Sequence, residues 1–293
     1  MPRSSRYNPI VLTSKTIFLQ RIQEAAINGY RYFIQGSISV KKAPGLARKF
    51  KELYLVNLDK NARYRRKAVG QGNARLILRF NEELAVDFFL LVSPGEHPAH
   101  QLEKLTDIRK KLLVYREFEL VLLTLKGRSK PGLTWRLSAD TMTAWKERVH
   151  LYTVHYNKLE LFRAWHSLYR TPGFAGVRRQ VGELVAYWRK VWKQHRRADP
   201  CPMAFPHNDF QYRSRPGVYK GDDGKYWTTK GFPCSLQLPK LFYVRKQSDI
   251  GTPLSRLMLE TAEQRTKKSR IPQEDSAKKS NEKSGLCSTP YQE

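Results

Sequence analysis

The chain has 293 residues, and its 54 lysines and arginines against 26 aspartates and glutamates give a formal net charge of +28. With 40% apolar and 12% aromatic residues it is too rich for a wholly disordered basic tail, and its length suffices for one large domain or two small ones. No stretch approaches the roughly 18 consecutive apolar residues of a membrane-spanning helix, and the start, Met1 to Arg6, lacks the apolar segment of a secretory signal; a soluble intracellular protein, cytoplasmic or nucleoid/nuclear, is expected.

Residues 14–28 read as a first helix, with Ile17, Leu19, Ile22, Ala25 and Ala26 near helical spacing and Asn28-Gly29 as its stop. Tyr30 to Ile34 reads as a strand and Gly36 as a turn. Ala43, Leu46, Ala47, Phe50, Leu53 and Tyr54 then form a helix stripe, with Pro44 tolerated in its first turn. Arg63 to Lys67 is a charged connector. Ala74 to Phe80 and Val86 to Val92 are β-type runs separated by Asn81-Glu82-Glu83, which suggests a hairpin. After the Ser93-Pro94-Gly95 break a short helix is expected over residues 98–111, followed by strands from Phe118 to Leu125 and Thr134 to Leu137. This β-α-ββ-α-ββ order predicts an α+β fold with a mainly antiparallel sheet.

From Ser138, a good N-cap, the period is helical: Met142, Trp145, Val149, Tyr152, Tyr156 and Leu159 predict a helix reaching Tyr169. Thr171-Pro172-Gly173 introduces a second, carrying Phe174, Val177, Val181, Leu184, Trp188 and Val191. Two long antiparallel helices, a basic hairpin, are the simplest arrangement. Prolines and glycines then mark irregular structure holding a β-hairpin, Val218 to Lys220 with Tyr226 to Thr229, and a strand over Leu236 to Arg245. The Lys, Ser, Gln and Glu content of the end predicts a disordered tail. The expected organisation is an α+β domain over 1–138, the helical hairpin over 139–198, an irregular C-terminal module over 199–265 and the tail over 266–293.

Net charge is +8 over residues 1–50, +2 over 51–100, +5 over 101–150, +7 over 151–200, +4 over 201–250 and +2 over 251–293, so a folded surface carries it. Between Arg163 and Arg197, nine basic residues face one acid, Glu183. Uncompensated like charges at helical spacing cost stability, which a bound polyanion would offset. Candidate phosphate contacts are Arg178, Arg179, Arg189, Lys190, Lys193, Arg196 and Arg197. A second patch comprises Arg63, Arg65, Arg66 and Lys67 around Tyr64, with Lys60 before it and Lys41, Lys42, Arg48 and Lys49 nearby. Tyr187 and Trp192 are candidates for base stacking, whereas Trp188 falls on the core stripe.

Chemistry has two candidate centres. If a helix begins near Pro98, His100, Glu103 and Asp107 share a face beside Glu96 and His97, a set able to hold a divalent metal or supply acid and base for a nuclease or nicking enzyme. An ordinary exposed face explains the same residues. His195, Cys201, His207 and Cys234 offer a zinc-type donor set, although their intervals of six, six and twenty-seven are poor for one. Three widely separated cysteines, Cys201, Cys234 and Cys287, argue against a disulfide framework. The preferred expectation is a non-catalytic nucleic-acid-binding protein without a cofactor, an accessory factor in DNA replication, transfer or recombination. DNA is favoured over RNA because no RNA-specific motif is present. Its partners would be nucleic acid and other proteins of a nucleoprotein complex; the alternatives are a metal-dependent nuclease or nicking enzyme using the Glu96–Asp107 cluster, and a protein-interaction scaffold for an acidic partner.

Overall fold

A computed structural model describes residues 7–124, 129–157, 160–161, 163–164, 167–168, 171–195, 218–220, 226–228 and 251–269, with backbone alone for 218–220, 226–228 and 262–269. The fold is mixed α+β. A six-stranded sheet has the order β11-β1-β3-β4-β2-β5, built from β1 (Ile10–Leu12), β2 (Tyr32–Ser39), β3 (Ala74–Phe80), β4 (Ala85–Val92), β5 (Thr106–Asp107) and β11 (Gly251–Pro253). Every pairing is antiparallel except that of β1 with β3. A second, antiparallel sheet holds β6 (Leu113–Tyr115), β7 (Phe118–Leu123) and β8 (Gly132–Leu137). The hairpin expected near residue 220 is formed by β9 (Val218–Lys220) and β10 (Tyr226–Thr228).

The large sheet is covered on both faces, and so β4 reads as an almost unbroken apolar run. On one face lies α1 (Lys15–Ile27), capped by Ser14 and left through Asn28 and Gly29. Its Phe18, Leu19 and Ile22 are fully buried with Phe33, Phe89 and Leu91. The small sheet packs against the far side of α1, where Trp135 Nε1 donates to the Leu19 carbonyl at 2.9 Å. The opposite face carries α2 (Ala43–Tyr54), with Pro44 in its first turn as expected, and α7 (Leu254–Ser269). Residues 251–253 thus complete the edge of the same sheet that begins at Ile10.

Helix α5 (Ala139–Val154) is capped by Ser138, as its sequence foretells, but it stops well short of Tyr169. Tyr156 takes φ +53° and Asn157 begins a new turn by accepting the Glu160 N–H at 3.2 Å. Helix α6 (Ala175–His195) follows. Leu137, at the start of α5, exchanges two hydrogen bonds with Gln180 near the start of α6, at 2.7 and 2.8 Å. His150, late in α5, meets His195, the last residue of α6, with ring centroids 5.5 Å apart. The two helices therefore run in the same direction, correcting the expected antiparallel hairpin; helical residues between 160 and 168 return the chain. Met142, Val149, Val177, Leu184 and Trp188 join the core that contains α1. Gly176 lets α6 approach β8 closely, since a Cβ there would lie 2.5 Å from the Trp135 carbonyl oxygen.

The expected helix over 98–111 shrinks to α4 (Ala99–Leu102). Glu103 turns extended, and Thr106–Asp107 pairs with Tyr32–Phe33 as β5. Among the described residues no helix is long and apolar enough to cross a membrane. Arg196, Arg197, Cys201, His207, Cys234, the strand expected at 236–245 and residues 270–293 lie outside the described residues.

Candidate nucleic-acid interface

Residues Arg63 to Lys67, expected as a connector, lie in a helix, α3 (Lys60–Ala68). It buries no residue, so no apolar stripe announces it, and nine residues are too few for an isolated helix to persist in water. Polar pins hold it instead. Asp59 caps the amino end by accepting the Ala62 N–H at 2.7 Å. On the inner side the Arg63 guanidinium donates to the Leu58 carbonyl, 2.8 Å from Nε, and Arg66 donates to the Gly72 carbonyl at 3.2 Å. Asn73 Nδ2 donates to the Arg63 carbonyl at 3.1 Å. Two of the four predicted contact residues thus serve the fold. Lys60, Tyr64, Arg65 and Lys67 face outward, and no carboxylate of the described residues pairs with an α3 cation. Tyr64 is 75% exposed.

The loops below α3 interlock. Gly72 N–H donates to the Glu96 carbonyl and Glu96 N–H to that of Gly70, at 2.9 and 3.3 Å. Gly95, at φ +110°, is obligatory here, because a Cβ would fall 2.4 Å from the Gly70 oxygen. Gly72 is likewise required by packing, since a Cβ there would lie 2.9 Å from the His97 Cβ, whereas Gly70 faces open space and takes φ +77°.

On α6, Arg178, Arg179, Arg189, Lys190 and Lys193 are exposed, and Arg179 pairs with the helix's single acid, Glu183, at 3.2 Å. Trp188 is fully buried, as its stripe position predicts. Trp192, a predicted stacking residue, is instead buried against Tyr156, with centroids 6.0 Å apart. Tyr187 is half-buried and lines a groove beside α5 with Lys146, Arg148, His150 and Leu151.

The predicted acid–base cluster does not share a helical face. His97 is buried, accepting the Ala99 N–H at Nδ1 (3.2 Å) and lying 3.3 Å from the Tyr54 carbonyl at Nε2, so both ring nitrogens serve the fold; burial holds its pKa below the usual histidine value. Glu103 accepts from the Tyr54 hydroxyl at 2.6 Å and pairs with Lys49 at 3.3 Å. Asp107 is clamped by Arg109 at 2.7 Å, which holds its carboxyl below the ordinary range. His100 and Glu96 remain exposed on a shallow cavity of about 290 Å³ with Tyr32. Among the described residues no three His, Cys, Asp or Glu side chains are grouped as metal ligands.

A charged cluster that no sequence motif marks lies in the interior. Arg79 and Asp87 are register partners on β3 and β4, 3% and 7% exposed. The Tyr115 hydroxyl stands between them, accepting from Arg79 at 2.8 Å and donating to Asp87 at 2.5 Å. Asn81 donates to the other Asp87 oxygen at 2.8 Å, and Glu82 receives Arg79 at 2.5 Å and Arg116 at 2.8 Å. Burial, then the Asp87 hydrogen bond, pushes Tyr115 up to about 12, while the Arg79 hydrogen bond pulls Glu82 down to about 2. The cluster ties β6 to the large sheet beside a cleft of about 260 Å³. No family model, curated protein or solved structure matches the chain.

Proposed function

We propose that the protein binds nucleic acid without acting on it chemically, through cationic helix faces displayed by a rigid α+β body. One observation carries this reading. The outward faces of α3 and α6 present Lys60, Arg65, Lys67, Arg178, Arg179, Arg189, Lys190 and Lys193 with Glu183 as the one acid of the two helices. Such a surface stores repulsion that a phosphate backbone relieves, releasing counterions as it binds. DNA, duplex or single-stranded, is favoured over RNA because the sequence carries no RNA-specific motif; Phe33 and Phe89 of the large sheet are buried and so do not serve as stacking residues. An accessory role in replication, transfer or recombination of DNA, inside the cell, fits a binder of this type.

The test is binding of labelled single- and double-stranded DNA and RNA across a salt series, with Mg²⁺ and Mn²⁺ present to reveal cleavage. If all eight cations meet phosphates, log affinity falls with log salt at a slope of about −7 for a duplex. Changing Arg178, Arg179, Lys190 and Lys193 together to Gln flattens that slope by about 3 to 4 while the helical signal persists. Weak binding that hardly responds to salt refutes the reading. Strand cleavage lost in His100→Ala establishes an enzyme instead.

A further inference from the structure

Helix α3 is held by side-chain hydrogen bonds from Arg63, Arg66 and Asn73 while burying nothing of its own. Its outer face is free of any structural duty among the described residues. On that face Tyr64 follows Lys60 by four positions and precedes Lys67 by three, so the three side chains are neighbours, with Arg65 alongside. Tyr64 is the sole aromatic among the large apolar side chains left exposed in the described structure, and no ring or hydrogen-bonding partner accompanies it. A 75% exposed phenol ring therefore stands on a short, rigidly pinned helix between cations that lack carboxylate partners.

Resting on the nucleic-acid reading, we infer that α3 is a single-strand site: Tyr64 stacks on an unpaired base while Lys60, Arg65 and Lys67 hold the phosphates on either side. A duplex hides the faces of its bases within the stack, so it offers this helix phosphates alone. Stacking on an aromatic ring is indifferent to base identity, and flanking cations follow the backbone, which together give affinity without sequence preference. The α6 face, whose tryptophans are buried and whose Tyr187 is half-buried in the groove beside α5, displays no ring as exposed as Tyr64 among the described residues and binds single strands and duplexes by charge.

The experiment compares the full chain with Tyr64→Ala and Tyr64→Phe, using a thymidine oligonucleotide and a duplex of equal length over a salt series. Tyr64→Ala is expected to weaken the single strand roughly tenfold, to leave the duplex and both salt slopes unchanged, and to keep the wild-type Tm. Tyr64→Phe restores the single-strand affinity. Changing Lys60, Arg65 and Lys67 to Gln lowers the single-strand slope by about 2. If Tyr64→Ala binds both ligands as the wild type does, or weakens both equally, the stacking site is refuted and the electrostatic reading stands. If the wild type binds neither ligand in a salt-dependent way, the nucleic-acid reading falls and this site with it.

Discussion

Arg79 and Lys60 carry the same charge on one chain, and the fold treats them in opposite ways. Arg79 is enclosed between two sheets with Tyr115, Asp87 and Glu82 arranged around its guanidinium. Lys60 stands in water on a helix, and among the described residues no carboxylate forms an ion pair with it or with Arg65 and Lys67, Asp59 being engaged as the helix cap. A buried charge survives only if its surroundings supply what water would have supplied, so its partners are dictated by folding. An exposed cation makes no such demand, and folding leaves its neighbours undetermined. In a chain of net charge +28, the interior reports on architecture and the surface reports on ligands.

The sharpest way to break this contrast is at the interior. Arg79→Ala leaves buried Asp87 and Tyr115 without the guanidinium that joins them, with Arg116 at 3.9 Å as the remaining cation, and an unfolding free energy lower by about 3 kcal/mol is expected by urea titration. Tyr115→Phe removes the hydroxyl that links the pair and costs about 1.5 to 3 kcal/mol. Tyr115 also sets an alkaline signature. Its pKa is raised from 10.0 to about 12 in the folded protein, so its stabilisation is whole below pH 10 and lost as pH rises from about 10 to about 12. That slope is shallower in Tyr115→Phe by the Tyr115 share, and what remains comes from Tyr7, which burial raises to about 12, and Tyr54, which burial and Glu103 raise as well. At the surface, changing Lys60, Arg65 and Lys67 to Gln moves stability by no more than about 0.5 kcal/mol. A loss as large as that of Arg79→Ala would mean that the α3 cations are structural after all.

Much of the scaffold was legible, because long amphipathic segments announce themselves. The α1 stripe, the β3 and β4 runs with their polar turn, and the Ser138 cap stand where periodicity places them. The strands β1 and β6 were not legible: three residues are too few to show alternation, and they become strands by pairing with β3 and β7. Helix α3 escaped for the opposite reason. It is helical without an apolar face, and its pins reach carbonyls at Leu58 and Gly72 that only the folded chain brings within range. The acid–base cluster looked coherent because His100, Glu103 and Asp107 have helical spacing, but the β2 edge draws Thr106 and Asp107 into a strand. The Arg79–Asp87 pair left a faint signal in opposite charges that face each other across a predicted hairpin.

The common direction of α5 and α6 separates the cations of α6 into two kinds. Peptide dipoles add along a helix, leaving partial positive charge at the amino end and partial negative charge at the carboxyl end. Two helices side by side and pointing the same way bring like ends together, and the cost falls at both ends. At the carboxyl ends, Lys193 and the imidazoles of His150 and His195 lie in a field that welcomes positive charge. At the amino end of α6 that field is positive, yet Arg178 and Arg179 sit there with no acid in the first turn. Arg178→Glu is accordingly expected to stabilise the fold, by about 0.3 to 1 kcal/mol in a thermal melt, while weakening polyanion binding. Lys193→Glu should lower both. A residue whose replacement improves the fold and impairs binding is one that the backbone electrostatics work against, and Arg178 is where that opposition is expected to be most visible.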